Sequence, residues 1–237
     1  MANTYFQFKE FTIEQADCAN KVSTDACVFG AWLNEYISEG SIVDVGCGSG
    51  LLSLMLGHKE SVSITGIEIE QNCLKQAVFN VNQSKWRKKI ALIHADMRAW
   101  ESDESFDFII SNPPFFNNTS KNSSPQRNIA RQTESLGPKD WARFIKHYAK
   151  DKTISAFLLS NNEVLVSYQN ELDRIGLNHQ QVIELRDTTL AKTKRVILLA
   201  RAAQLPKLRE KTIFYKLEDE SYSPRFIQLL KQYYLYL

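Results

Sequence analysis

Short apolar runs alternate with stretches of helical spacing along most of this chain. Ser41 to Val45, Val62 to Glu68, Ile90 to Ala95, Phe106 to Ile110 and Ile154 to Leu159 are each brief and rich in apolar and β-branched residues, the pattern of buried strands. Between them, Leu51 to Gly57, about Gln71 to Val81, and Val164 to Ile175 read as helices, the last closed by Gly176. Trp141 to Lys150 is a further helix, with Trp141, Phe144, Ile145 and Tyr148 on one face. Two late runs, Asn178 to Leu185 and Arg195 to Ala200, are separated by a loop and predict an antiparallel hairpin at a sheet edge. Strands alternating with helices predict an α/β fold of seven strands, mostly parallel, with an antiparallel edge strand and helices on both faces. The one long polar stretch, Asn117 to Gly137, follows the fourth strand and reads as a substrate loop.

Composition narrows this picture only a little. The 237 residues fit a single domain, and 43% hydrophobic with 24% charged residues is ordinary for a globular chain. No apolar run approaches the ~20 residues that cross a bilayer, and Met1 to Glu10 lacks the regions of a signal peptide. Cys18, Cys27, Cys47 and Cys73 form no C-x-x-C pair and the histidines do not cluster, so no metal site is expected. Reduced thiols in a cytoplasmic protein are the expected state. A net charge of +2 neither demands nor excludes a nucleic-acid partner.

The chemistry is concentrated at successive strand ends. Asp44-Val45-Gly46-Cys47-Gly48-Ser49-Gly50 joins the first strand to the first helix, and its glycines let backbone approach a ligand closely. The spacing is G-x-G-x-G, with Leu51 where a nicotinamide-nucleotide turn needs glycine. Glu68 ends the second strand, about 20 residues on, where a carboxylate meets ribose hydroxyls in related folds. Asp96 follows the third strand and can accept from an adenine amine or cap a helix. Asn112-Pro113-Pro114-Phe115 ends the fourth strand. Its prolines fix the backbone, so the Asn112 amide and a nearby carbonyl can hold an amine by its edge while Phe115 covers the ring face. Phe116 could share that stacking or belong to the core, and His94, among apolar neighbours, reads as structural.

Asp44 to Gly50, Glu68, Asp96 and Asn112 to Phe115 together resemble the class I S-adenosylmethionine-dependent methyltransferases that act on amino groups. Cys18-Ala19-Asn20-Lys21-Val22-Ser23-Thr24-Asp25, followed by Gly30-Ala31-Trp32, is similar to the opening block of the bacterial valine-tRNA adenine-N6 methyltransferases. Ser124 to Arg127 with Ala130-Arg131, Tyr222-Ser223-Pro224, and the end Tyr233 to Leu237 resemble the same family. That resemblance implies a Rossmann-like fold, S-adenosylmethionine as methyl donor, and N6-methylation of adenosine 37 in the anticodon loop of a valine tRNA. It implies a single domain, 1–237, in which residues 1–40 are an N-terminal extension closing over the donor site. It also implies donor contacts from Lys21, Thr24, Asp25, Asp44, Gly46, Gly48, Gly50, Glu68, Asp96 and Asn112. Asn112 and Pro113 would hold the amine, Phe115 and Phe116 would stack on the base, and Arg127 and Arg131 would meet the tRNA. A monomer needing no metal or membrane is expected. Many relatives have Tyr where Phe115 stands, which leaves stacking as this position's role.

The rival readings are a glutamine-N5 methyltransferase of a release factor, a DNA adenine methyltransferase, and an inactive fold serving as an RNA-binding module. The first usually carries a separate N-terminal helical domain, whereas 40 residues precede Ser41 here. The second needs an added target-recognition domain, and the third leaves an intact glycine turn and Asn-Pro-Pro-Phe unexplained. Lys85-Trp86-Arg87-Lys88-Lys89, Lys192-Thr193-Lys194-Arg195 and Lys207-Leu208-Arg209-Glu210-Lys211 are each either phosphate contacts or solvated loops.

Overall fold

The computed structural model describes residues 3–113, 136–160, 162–205, 208 and 210–237. Helices are α1 (Thr24–Tyr36), α2 (Leu51–Gly57), α3 (Gln71–Asn82), α4 (Pro138–Tyr148), α5 (Asn162–Arg174) and α6 (Pro224–Leu230). A small hairpin, β1 (Tyr5–Gln7) and β2 (Thr12–Glu14), precedes the main sheet. The main sheet contains β3 (Gly40–Val45), β4 (Val62–Glu68), β5 (Ile90–His94), β6 (Phe106–Ser111), β7 (Ala149–Leu159), β8 (His179–Arg186), β9 (Arg195–Arg201) and β10 (Thr212–Phe214).

Its order is β10-β8-β9-β7-β6-β3-β4-β5, and every neighbouring pair is parallel except those made by β9. The expected sheet of seven strands is therefore one of eight among the described residues. The antiparallel strand, β9, lies inside the sheet between β7 and β8 rather than at its edge. The difference is β10, whose three residues are too few to show any periodicity. It pairs with β8 and covers hydrogen-bonding groups that the hairpin would otherwise present at an open edge.

Alternate residues of the strands build two cores. Ile42, Ile64, Ile110, Leu158 and Ile197 face one side with α1, α2 and α6; Val43, Ile67, Ile109, Phe157 and Leu198 face the other with α4 and α5. The face predicted for α4 is confirmed, since Trp141, Phe144, Ile145 and Tyr148 are all buried. Sequence patterning did not reveal α1, because Asp25 to Asn34 is buried without interruption and shows no polar stripe. It packs against α2 so closely that a Cβ on Gly30 would lie 2.6 Å from Met55 Sδ. The β1–β2 hairpin adds Phe8, Phe11 and Ile13 to the same core and meets the C-terminal segment, where Lys9 N–H donates to the Tyr233 carbonyl at 2.8 Å.

The cysteine expectation needs correction. Cys18 and Cys73, 55 residues apart in sequence, are joined by a disulfide, while Cys27 and Cys47 are unbonded and buried. Sequence distance concealed the pair, because only the docking of the segment after β2 onto α3 brings the two together. No helix among the described residues is long and apolar enough to cross a membrane.

Phe157 is fully buried between Trp141 and Tyr168 on the central strand β7. Phe157→Ala is expected to cost about 3–5 kcal/mol, measured as a lowered denaturation midpoint without a change in slope. A loss below about 1 kcal/mol would contradict this packing.

Candidate functional site

The site is organised by β3, which pairs in parallel with β4 on one side and β6 on the other. Asp44 is opposite Gly66 of β4 and Ile110 of β6, so the turns after all three strands open at the same sheet edge. Connections leave β3 in opposite directions on its two sides, and open α/β sheets bind ligands in the crevice this creates. Gly46 and Gly48 adopt positive φ of 70° and 56°, and a Cβ at either would point into open space. Side chains there would fill the crevice; glycine leaves bare backbone beside it. The turn is fixed to β4 by Gly46 and Cys47 N–H groups, which both donate to the Ile67 carbonyl at 2.8 and 3.0 Å.

Two carboxylates flank the turn. Glu68 is 8% exposed; its Oε2 accepts from Gly48 N–H at 2.9 Å and its Oε1 from Glu70 N–H at 2.8 Å. Each oxygen keeps acceptor capacity for a further donor such as a hydroxyl. Asp44 is 1% exposed, with Oδ2 accepting from the Ser53 hydroxyl at 2.7 Å and Oδ1 buried without a hydrogen-bond partner. Burial pushes its carboxyl from the ordinary 3.8 up to about 7; the Ser53 hydrogen bonds oppose the shift and Glu68 adds to it. Ser53 was not anticipated, although a lone hydroxyl within the apolar run Leu51 to Leu56 was a visible signal.

Asn112 follows β6 directly. The Ser111 hydroxyl donates to the Val45 carbonyl at 2.7 Å and so binds the end of β6 to the start of the glycine turn. Asn112 Oδ1 is buried and has no hydrogen-bond partner, and Pro113 beside it is buried too. A buried carbonyl oxygen without a partner costs ~1–3 kcal/mol, and a bound group that donates to it removes that cost. Phe115, Phe116, Arg127 and Arg131 lie outside the described residues, as does most of the expected substrate loop.

The remaining expected residues take varied places. Asp96 follows β5 and accepts from the backbone and guanidinium of Arg98, which hold its carboxyl below the usual carboxylate range. The Lys21 ammonium donates to the carbonyls of Gln15, Ala16 and Cys18 within its own segment. Thr24 opens α1, capped by Ser23. The Asp25 carboxylate is buried, accepting from the Tyr215 hydroxyl at 2.8 Å and lying 3.7 Å from Arg195. His94 is exposed rather than packed in a core, with Nε2 2.9 Å from the Ile69 carbonyl. Among the basic clusters, Lys85 to Lys89 precede β5 and sit at the sheet edge opposite Asn112. Lys192 and Lys194 precede the antiparallel β9, Arg195 opens it, and all three share the edge with Asn112. Lys207 and Arg209 of the third cluster are outside the described residues.

A mostly parallel sheet with a glycine turn after its central strand, a carboxylate ending the next, and an Asn-Pro turn across the crevice defines a class I methyltransferase. A model of the methyltransferase small domain matches residues 18–139. Relatives named tRNA1(Val) (adenine(37)-N6)-methyltransferase include one from Trichodesmium erythraeum, 32% identical, and one from Phocaeicola vulgatus, 33% identical; each alignment covers 99% of both chains. The chain belongs to the tRNA1(Val) (adenine(37)-N6)-methyltransferase family. Solved structures support the fold. A predicted O-methyltransferase from Agrobacterium tumefaciens superposes with a TM-score of 0.67 at 13% identity, covering 87% of this chain and 95% of its own. An S-adenosylmethionine-dependent O-methyltransferase from Thermotoga maritima gives 0.58 at 14%, covering 80% and 69%.

Because the folded Asp44 carboxyl holds its proton to higher pH than the unfolded one, stability falls as pH rises from about 4 to about 7 and stays lowered above that. Asp44→Asn is therefore expected to gain up to about 4 kcal/mol over the wild type at pH 8 relative to their difference at pH 4. Urea unfolding of the donor-free protein at both pH values measures this, and a pH-independent difference would exclude a buried, titrating Asp44.

Proposed function

We propose that this protein transfers a methyl group from S-adenosylmethionine to N6 of adenosine 37 in the anticodon loop of a valine tRNA. The observation that carries this reading is the buried, partnerless Asn112 Oδ1 across the crevice from the glycine turn. The residues present fit the donor: open backbone at Gly46 and Gly48, acceptor capacity on Glu68 for hydroxyls, and Asp44 Oδ1 awaiting a hydrogen-bond donor. When bound, S-adenosylmethionine supplies a methyl group already activated on a sulfonium.

The residues of this chain then act mainly by placement. An exocyclic adenine amine is a weak nucleophile because its lone pair is delocalised into the ring. Asn112 Oδ1 and the Pro113 carbonyl accept its two N–H bonds, which favours a pyramidal nitrogen and turns its lone pair toward the crevice. Alignment of this kind, rather than a strong base, lowers the barrier. The proton is lost after attack, when nitrogen has become acidic. Phe115, with Phe116, stacks on the base once it has left its own stack, an interaction worth ~1–3 kcal/mol. Arg127 and Arg131 meet phosphates, as does Lys192 at the sheet edge of Asn112, whereas Lys85 to Lys89 at the opposite edge stand away from the target base. The enzyme works as a cytoplasmic monomer, without a metal. The names of the relatives favour a tRNA target over the glutamine amide of a protein.

The direct test offers labelled methyl donor with total tRNA, DNA and protein in parallel, followed by nucleoside analysis. Label is expected in N6-methyladenosine of tRNA; label confined to protein would overturn the reading. Asn112→Ala is expected to lower turnover at least 100-fold, about 2.7 kcal/mol of barrier, with donor affinity retained. Glu68→Ala is expected to weaken donor binding about tenfold or more by calorimetry; unchanged affinity would remove Glu68 from the donor site.

A further inference from the structure

One face of α3 carries three attachments to the end of β2 and the segment that follows it. Cys73, Gln76 and Asn80 are spaced three and four residues apart, so they form a single stripe on the helix. Cys73 is bonded to Cys18, the Gln76 side-chain oxygen accepts from Asp17 N–H at 3.0 Å, and Asn80 Oδ1 accepts from Glu14 N–H at 2.9 Å. Asn80 does more than this. Its amide group donates to the Glu14 carbonyl and to the Ser49 carbonyl, each at 2.9 Å, so one buried side chain holds both the N-terminal segment and the glycine turn. Asn80 is 2% exposed, and those two carbonyls and the Glu14 N–H take up its hydrogen-bonding groups.

The far end of the segment is fixed on the other half of the sheet. Asp25 lies against Tyr215, which follows β10, and Arg195, which opens β9. Between α3, which follows β4, and Arg195 come the ends of β3, β6 and β7. Residues 18–25 thus run along the sheet edge that holds Gly46 to Gly50 and Asn112. The position of this strap is set by where its ends are tied. Internal bonds stiffen it further: Gln15 Oε1 accepts from Val22 N–H at 2.7 Å and the Lys21 ammonium is held by three carbonyls of the same segment.

We propose that Asn80 is a positioning residue for methyl-donor binding, and that with Gln76 and the Cys18–Cys73 bond it holds the strap of residues 14–25 across the donor crevice in register with the glycine turn. This rests on the reading of the crevice as the donor site. With Asn80 truncated, the Glu14 and Ser49 groups lose their shared partner, the strap and the turn move independently, and the donor must order both on binding.

The test uses the full chain with the Cys18–Cys73 bond reduced, so that the covalent tie does not mask the others. S-adenosylmethionine binding by calorimetry, steady-state kinetics on tRNA, and trypsin cleavage after the exposed Lys21 are compared for wild type, Asn80→Ala and Gln76→Ala. Asn80→Ala is expected to weaken donor binding about tenfold, with kcat at saturating donor and KM for tRNA within about twofold of wild type. Its cleavage after Lys21 in the donor-bound state is expected to be at least tenfold faster. Gln76→Ala, at a half-buried position, is expected to shift both readouts the same way by about threefold. Thermal melts and circular dichroism establish folding; should Asn80→Ala fail to fold, Gln76→Ala decides. A folded variant with wild-type donor affinity and wild-type cleavage would overturn the inference alone. A wild-type protein with no donor binding would overturn the reading of the crevice together with it.

Discussion

Parallel pairing of β3 with both β4 and β6 is the constraint on which the site depends. β3 carries the glycine turn, β4 ends at Glu68, and Asn112 directly follows β6, so two registers place the donor-side groups and the amine-side group around one crevice. Neither pairing is strong through any single bond. Each is enforced because a slip of one residue would turn Val43 and Ile109, or Ile42 and Ile110, out of their respective cores. Burial on both faces thus fixes positions at the sheet edge that the core itself never touches.

Two polar groups at that edge are left under-satisfied. Asp44 Oδ1 and Asn112 Oδ1 are buried without partners, and Asp44 bears the further cost of ionising out of water. The apolar layers beneath α1, α2, α4 and α5 make these local losses tolerable. Such losses suit a binding site, because a ligand that donates to those oxygens gains what the empty crevice forgoes. Rigid surroundings keep the acceptors from collapsing onto other partners: Ser111 ties β6 to Val45, and Gly46, Cys47 and Gly48 are tied to β4.

Most of the sheet was legible in the sequence, since strands buried on both faces read as short apolar runs between turns. β4 and α2 appear at their expected bounds, and the others differ by a few residues at their ends. What escaped notice did so for identifiable reasons. Helix α1 has no polar face, β10 is too short for a period, and Cys18 and Cys73 lie 55 residues apart. Asn80 carries no local signature at all, because an asparagine on a helix becomes informative only when its partners, here Glu14 and Ser49, are known.

By itself the sequence determined the reaction-bearing groups: a glycine turn, a carboxylate at the next strand end, and an Asn-Pro-Pro-Phe turn, each defined by local backbone and side-chain chemistry. Their order along the chain also implied one crevice, because parallel strands present their ends together. Only the tertiary structure decided which groups are left without partners, which basic cluster shares the edge with Asn112, and how residues 14–25 are tied across it. Those properties arise from contacts between segments distant in sequence, such as Asn80 with Glu14 and Asp25 with Tyr215, and no local pattern encodes them.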